Sequence, residues 1–217
     1  MMHNRMIEGV WIAVIMGVGI PVMGEVLITE IMYNPNSRES YPNDVEWIEI
    51  YNSGKDPVDL SGWYLMDEDG KTGGLAEGIK LPPGRALVLI PDCQTAEDFH
   101  AAWGEGIAVV SVKGWLRPGL GGLANNPSPK NEVLSLRNAD GKVVDRVNFD
   151  DEGDWPADKP DGASIYLLPG GLNSRDNDAG RNWARSQAGE RGTGMNVKTA
   201  DFDGQDVGSP GYVATGP

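Results

Sequence analysis

Hydrophobic and polar residues alternate most regularly over residues 45–67, and this stretch predicts the centre of the fold. Successive side chains of an extended strand point to opposite faces. In the first half, one face carries Trp47, Glu49 and Tyr51. The other face carries Glu46, Ile48 and Ile50. A polar turn follows over residues 52–57, and a second, aromatic strand is predicted over residues 63–66. The stretch therefore predicts two strands joined by turns.

Shorter alternating or apolar runs predict further strands along the chain. They cover residues 26–32, 86–90, 107–112, 133–137, 143–149 and 162–168. The pair Asp140-Gly141 is typical of a tight hairpin turn between two of them. The rest of the chain after residue 168 is predicted to be mostly loop, with Trp183 folded back onto the core.

Residues 95–103 predict one short helix. Thr95 is a suitable N-cap, and Glu97 and Asp98 lie in the first turn, where the helix dipole favours acidic side chains. Gly104 follows as a stop signal. The predicted elements are otherwise strands.

The composition favours an all-β fold. The chain has 30 glycines and 15 prolines among its 217 residues, roughly a fifth of the total against a usual ~12%. Helical bundles do not tolerate this content, whereas a β-sandwich with many turns does. The length suits about one domain of this class.

Residues 1–24 predict a targeting segment. A short polar start is followed by an apolar run over residues 10–22, which is short for a membrane span. We expect a signal peptide cleaved before Glu25, or else an uncleaved N-terminal anchor. The folded domain is then expected over residues 25–213, with residues 214–217 as a tail.

The charge is strongly acidic. The chain carries 18 basic and 32 acidic residues, a formal net charge of −14. Binding to nucleic acid or to an anionic membrane surface requires a basic face. We therefore expect no nucleic-acid partner, and membrane contact only if the N-terminal segment stays uncleaved.

Five motifs, in order along the chain, resemble the signature of the lamin-tail domain family. They are ITEIMYNP from Ile28, EWIEIYN from Glu46, VDLSGW from Val58, NWARS from Asn182 and GSPG from Gly208. The resemblance implies an immunoglobulin-like β-sandwich without catalytic residues. Relative to a compact lamin-tail domain, residues 92–130 look like an enlargement. Nuclear lamin and chromatin partners are not carried over, because the export signal and the charge oppose them.

Residues for enzymatic chemistry are scarce. The single cysteine, Cys93, allows no intramolecular disulfide, and only His100 follows the targeting segment. The sequence contains no paired Cys-x-x-Cys, no nucleophile elbow and no phosphate-binding loop. Carboxylates are numerous enough for a glycosidase pair, but no two of them are singled out. We predict that the chain is not an enzyme.

Three acidic clusters are candidates for a calcium site, because calcium takes six to eight oxygen ligands. The main candidates are Asp201, Asp203 and Asp206, and a second group is Asp150, Asp151 and Asp154. The third cluster covers residues 67–69. None has the full spacing of a known calcium loop, so solvated acidic turns remain the alternative. Calcium is the one cofactor that the sequence leaves open.

The tryptophans allow two interpretations. Trp47 and Trp63 belong to the predicted strands and are expected in the core. Trp103, Trp115 and Trp155 lie in loops or at element ends, where they could pack inside or form a patch that contacts a ligand or partner. We take Trp115 as the candidate contact residue.

The sequence thus predicts a non-catalytic, exported structural or interaction module. Similar domains in exported proteins suggest attachment or scaffolding at the cell surface, with a protein or a cell-surface polymer as partner. The expected location is secreted, periplasmic or on the cell surface. The alternative is a calcium-dependent or carbohydrate-binding module.

Overall fold

The computed structural model describes residues 26–37, 44–67, 70–116, 122–123 and 133–216. The strands are β1 (Val26–Met32), β2 (Trp47–Asn52), β3 (Val58–Asp59), β4 (Tyr64–Met66), β5 (Lys80–Leu81), β6 (Ala86–Pro91), β7 (Val109–Val112), β8 (Leu134–Arg137), β9 (Val143–Val147), β10 (Ile165–Leu167), β11 (Trp183–Arg185), β12 (Gly194–Met195) and β13 (Val207–Gly208). Helix α1 spans Ala96–Trp103, and 3-10 turns cover Pro169–Gly171 and Gly180–Asn182.

Two sheets form the sandwich. The larger has six strands in the order β11-β10-β1-β2-β6-β7, and the smaller has three in the order β4-β8-β9. Neighbouring strands are antiparallel except β6 and β7, which are parallel because α1 crosses over between them. The pairs β3–β5 and β12–β13 form small additional ladders.

The main core fills the space between the two sheets. The face of the six-stranded sheet that points to the smaller sheet is called the inner face here. Ile28, Ile48 and Leu89 pack from the inner face against Leu65 and Leu136 of the smaller sheet. This burial of apolar surface is the principal stabilising contribution to the sandwich.

The opposite face of the six-stranded sheet, called the outer face here, is also covered. Trp47 and Val88 pack there against Phe99 of α1 and against Phe202. The Trp47 ring meets the Phe99 ring edge-on at 6.2 Å between centroids, a favoured aromatic geometry. All six residues of β2 are buried as a result, so any charged side chain on this strand is held away from water.

The predicted all-β fold with one short helix is confirmed. Thr95 forms a complete capping box with Asp98 at the start of α1, and predicted and observed strand ends differ by up to about three residues. The prediction of loop for Trp183 was wrong in one respect. Trp183 is buried as predicted, but it lies in β11, a three-residue strand too short to show an alternating pattern.

Residues 1–24, predicted as a targeting segment, lie outside the described residues. Within the described ranges, no helix has the length and apolar character needed to cross a membrane. The sandwich extends past residue 151, because β10 pairs with β1 and β11 pairs with β10.

Candidate functional site: a buried carboxylate pair beside a surface groove

A β-bulge in β1 decides which side chains reach the outer face. The register with β2 shifts between Ile28 and Glu30, so that Ile28 and Ile31 both lie in the inner core. The extra residue turns Glu30 to the outer face. Glu30 then stands directly opposite Glu49 of β2 in the antiparallel ladder.

Five hydrogen bonds hold the two carboxylates. Ser209 donates to Glu30 through its backbone N–H (2.8 Å to Oε1) and through its hydroxyl (2.6 Å to Oε2). The Ser164 hydroxyl also donates to Oε1 of Glu30, at 2.5 Å. Glu49 accepts from the Thr29 hydroxyl and from the Gly211 N–H, both at 2.7 Å. Each carboxylate is therefore fixed by β-sheet neighbours on one side and by the chain near residue 210 on the other.

Burial determines the electrostatics of this pair. Glu30 and Glu49 are 1% and 0% exposed, and they form no ion pair within the described part of the chain. Loss of hydration raises the pKa of Glu30 from 4.5 to about 7, and the hydrogen bonds from Ser164 and Ser209 oppose this only in part. Burial, followed by the nearby Glu30 charge, raises the pKa of Glu49 well above its ordinary value.

Residues 208–211, Gly208-Ser209-Pro210-Gly211, are called the closing segment here. A Cβ built on Gly208 would lie 2.9 Å from Cζ2 of Trp47 and 3.2 Å from Oε1 of Glu30. Glycine lets the backbone approach the sheet this closely. The approach places the Ser209 and Gly211 N–H groups within bonding distance of the carboxylates, so the GSPG sequence is explained by the pair beneath it.

A surface groove of about 270 Å³ lies where the chain continues past the closing segment. Its walls include Tyr51 at the end of β2, Arg85 before β6 and Tyr212. Small residues line the remainder, among them Gly84, Ala86, Gly106 and Ala108. Tyr212 is 51% exposed, and Arg85 forms no ion pair with any described residue. The groove therefore presents the Tyr212 phenol and the Arg85 charge to solvent, whereas Tyr51 lines it but is only 9% exposed.

The structure uses the predicted calcium ligand Asp206 as an internal acceptor. Asp206 is 1% exposed. Its Oδ1 accepts from the Asn36 N–H at 2.6 Å, and its Oδ2 accepts from the Asn196 side chain at 2.9 Å and from the Ser37 hydroxyl. Asp203 also accepts from Ser37, at 3.2 Å. These bonds join the chain near residue 37 to the chain near residue 205.

The remaining predicted calcium ligands lie closer to the surface. Asp201 is half-buried, whereas Asp150 is buried and its Oδ1 accepts from the N–H groups of Asp151 and Glu152. Asp154 is exposed. Among the described residues, no group of three or more His, Cys, Asp or Glu side chains is arranged to hold a metal ion; residues 68 and 69 lie outside them. Calcium binding stays a prediction.

The interpretation of Trp115 as a contact residue is corrected by the structure. Trp115 is 0% exposed and belongs to the inner core. Its indole N–H donates to Oε2 of Glu46 at 3.0 Å, and the Leu123 N–H donates to the same oxygen at 2.7 Å. The sequence around residue 115 predicts a loop and does not show that Trp115 is buried, because only tertiary contact brings Trp115 to Glu46.

The other two tryptophans in question also pack inward. Trp103 lies with its ring centroid 5.8 Å from that of Trp47, and Trp155 lies 5.9 Å from Trp183. Both are partly buried against the two core clusters. Trp103 and Trp155 thus pack against the core, as Trp115 does, and none of the three forms an exposed recognition patch.

Sequence reasoning missed the pair Glu30 and Glu49. A signal was present, because Glu49 shares its strand face with Trp47 and Tyr51, and two aromatic neighbours indicate a covered face. Substrate access is closed in this arrangement, since the closing segment covers both carboxylates. The geometry is therefore that of a structural polar cluster.

The sequence model of the Lamin Tail Domain matches residues 21–151. The match covers more than half of the chain, and the chain belongs to the lamin-tail domain family. The immunoglobulin-like β-sandwich implied by the motifs is thereby shown. A non-catalytic structural or interaction module is the general role of this family. A search of the curated proteins gives no match.

Proposed function

We propose that this chain is an exported lamin-tail module that attaches or scaffolds at the cell surface by binding a protein or a cell-surface polymer. One observation supports binding over chemistry. The strongest acid–base candidates among the described residues, Glu30 and Glu49, are covered by the closing segment and accept hydrogen bonds from the protein itself. The groove beside them is open and carries recognition groups.

The groove is the proposed contact surface. Arg85 offers a planar donor group for carboxylates or phosphates, and tyrosines are enriched where proteins recognise partners. The chain as a whole is acidic, with a net charge of −14, and Arg85 is the one charged side chain among the described residues that line the groove. Arg85 beside Tyr212 favours a partner that has an anionic group next to an apolar part.

Export is tested by fractionating the source cells and sequencing the N-terminus of the protein. We expect it outside the cytoplasm, beginning at Glu25 if the predicted signal peptide is cleaved. A cytoplasmic protein that begins at Met1 would contradict the proposal. An envelope-bound protein that begins at Met1 would instead show an uncleaved anchor.

Partner binding is tested by chemical cross-linking on intact cells followed by identification of the captured species. Arg85→Glu reverses the charge of the groove. We expect it to lower the amount of captured partner at least about fivefold, because roughly one charge-assisted contact is lost. Arg175→Glu, at an exposed position outside the groove, is the matched control. Equal capture by both variants and the native chain would show that the partner binds elsewhere.

A carbohydrate ligand is the second candidate, because Tyr51 and Tyr212 line one groove and aromatic side chains commonly contact sugars. A glycan array probed with and without calcium tests it, and Tyr212→Ala should abolish any signal. Calcium itself is tested by calorimetry and by the melting temperature in millimolar calcium, which should rise if a site exists. The variant Asp203→Asn shows whether the site involves residues 201–206.

A further inference from the structure

The closing segment is tied to the six-stranded sheet by the carboxylate pair, while its first residue, Gly208, also pairs with Gly194 in the β12–β13 ladder. Of the five hydrogen bonds that Glu30 and Glu49 accept, three come from the closing segment, through the Ser209 N–H, the Ser209 hydroxyl and the Gly211 N–H. The other two come from Thr29 of β1 and from Ser164, which directly precedes β10. The attachment of residues 209–211 to this sheet therefore depends on the state of two acidic groups.

The two acids stand in an unfavourable relation when both are ionised. Glu30 and Glu49 are cross-strand partners, whose Cβ atoms in an antiparallel ladder lie about 4.5–5.5 Å apart. Two buried carboxylates so placed retain a proton, because the pair avoids holding two charges out of contact with solvent.

The charged and titratable groups around the pair do not neutralise it. They come from every element packed nearby: Tyr166 on β10, Glu190 and Arg191 in the loop after β11, Arg85 before β6, His100 in the last turn of α1, Glu105 in the loop after α1, and Tyr212 after the closing segment. None of the cations among them forms an ion pair with Glu30 or Glu49. His100 instead bonds the Ile107 carbonyl, at 2.8 Å.

We propose that the closing segment is a pH-dependent latch, which is docked while the Glu30–Glu49 pair holds a proton and is released when the pair becomes fully ionised. This inference goes beyond the proposed function and does not rest on it.

The direction follows from hydration. When the segment lifts, water reaches both carboxylates, and their pKa values return toward the ordinary 4.5. The docked state keeps the pKa of Glu30 at about 7, so it binds protons that the open state releases. Raising the pH therefore favours the open state, and lowering it favours the docked state.

Release of the latch changes the groove. Gly211, Tyr212 and Val213 form one wall of the groove, and the Gly211 N–H is bonded to Glu49. Opening of the segment removes this wall and uncovers the outer face above Glu49. The latch thus couples the shape of a surface groove to the acidity outside the protein.

Hydrogen exchange with mass spectrometry of the full chain tests the latch. The exchange rates of peptides covering residues 207–212 are divided by their intrinsic rates at each pH, which gives a protection factor. We expect the protection factor to fall about tenfold from pH 6 to pH 8. This is the change expected when opening releases one proton from a group whose pKa is near 7 in the docked state. Protection of β2, which exchanges only through global unfolding, should exceed that of residues 207–212 at every pH, because local release costs less free energy than unfolding.

The double variant Glu30→Gln/Glu49→Gln removes the titration and keeps side chains of the same shape. We expect its protection factor at residues 207–212 to be independent of pH within about twofold. Glu190→Gln, an exposed neighbour, is the matched control and should behave like the native chain.

Two outcomes would overturn the latch. A pH-independent protection factor in the native chain would do so without any variant, so a folding defect of the double variant leaves the idea testable. Equal protection factors for β2 and for residues 207–212 at every pH would show that both exchange by global unfolding, in place of local release.

Discussion

The indole N–H of Trp115 and the main-chain N–H of Leu123 converge on one oxygen of Glu46, at 3.0 and 2.7 Å. Glu46 is 1% exposed and directly precedes β2, the most regular strand of the chain. One acidic side chain thus ties Trp115 and Leu123, both within the range predicted as an enlargement, to the centre of the sandwich.

Glu46→Ala should destabilise the protein by about 2–4 kcal/mol, because it leaves two buried N–H groups without their acceptor. The free energy of unfolding from urea denaturation measures this. Glu77→Ala, at an exposed position, should change it by less than about 0.5 kcal/mol. A similar effect of both variants would mean that the bonds to Glu46 contribute nothing.

Trp115→Ala should cost about 3–5 kcal/mol, the usual range for removing a buried aromatic side chain. Trp115→Phe retains most of the ring and loses the bond to Glu46, so it should cost less. Thermal and urea unfolding of both variants separate packing from hydrogen bonding. An unchanged melting temperature for Trp115→Ala would contradict the buried position.

Asp145→Ala should weaken the contact between the two sheets. Asp145 of β9 is 2% exposed; it accepts from the Ile28 N–H at 2.7 Å beside the β1 bulge, and from the Asn177 side chain. We expect a loss of about 2–4 kcal/mol, because a buried backbone donor loses its acceptor. Asp140→Ala, an exposed residue at the turn of the same hairpin, is the control. Equal stability of the two variants would contradict the structural role of Asp145.

Asp206→Ala should destabilise the protein by about 2–4 kcal/mol, because the donors from Asn36, Ser37 and Asn196 lose their shared acceptor. Asp201→Asn, with no such network, should stay within about 0.5 kcal/mol. Urea unfolding without added calcium isolates this structural role. Loss of stability on Asp206→Ala only in the presence of calcium would point to a ligand role.

The buried pair should also set a pH dependence of global stability. The folded chain holds protons on Glu30 and Glu49 that the unfolded chain releases, because burial raises both pKa values, that of Glu30 to about 7. The free energy of unfolding should therefore fall as the pH rises from about 4.5 through 7, by up to ~1.4 kcal/mol per pH unit for each such proton.

This dependence is measured as the stability difference between the native chain and Glu30→Gln/Glu49→Gln from pH 5 to pH 8. We expect the native chain to lose stability relative to the variant as the pH rises. A difference that is constant, or that grows in favour of the native chain, would contradict the raised pKa values.

Local patterns in the sequence were sufficient for much of the fold. The alternation around Trp47, the Asp140-Gly141 turn and the Thr95 cap each act over a few residues, and each element was found close to its predicted position. Trp183 shows the limit, because its short strand exists only through pairing with β10.

The site was less accessible to sequence reasoning. Asp201, Asp203 and Asp206 read as one acidic turn, but the structure directs Asp206 inward to partners about 170 and 10 residues away in the chain. Glu30 and Glu49 read as polar positions of half-exposed strands. Their burial depends on α1 and on the closing segment, which lie far from them in sequence.

The sequence by itself determined the family, the sandwich and the positions of most strands, because alternation and turn residues act locally and the lamin-tail motifs occur in order. Only the tertiary structure decided the roles of the acidic and aromatic side chains. Hydration, pKa and hydrogen bonding of Glu30, Glu46 and Glu49 depend on what covers them. That covering comes from chain segments whose docking no local pattern encodes.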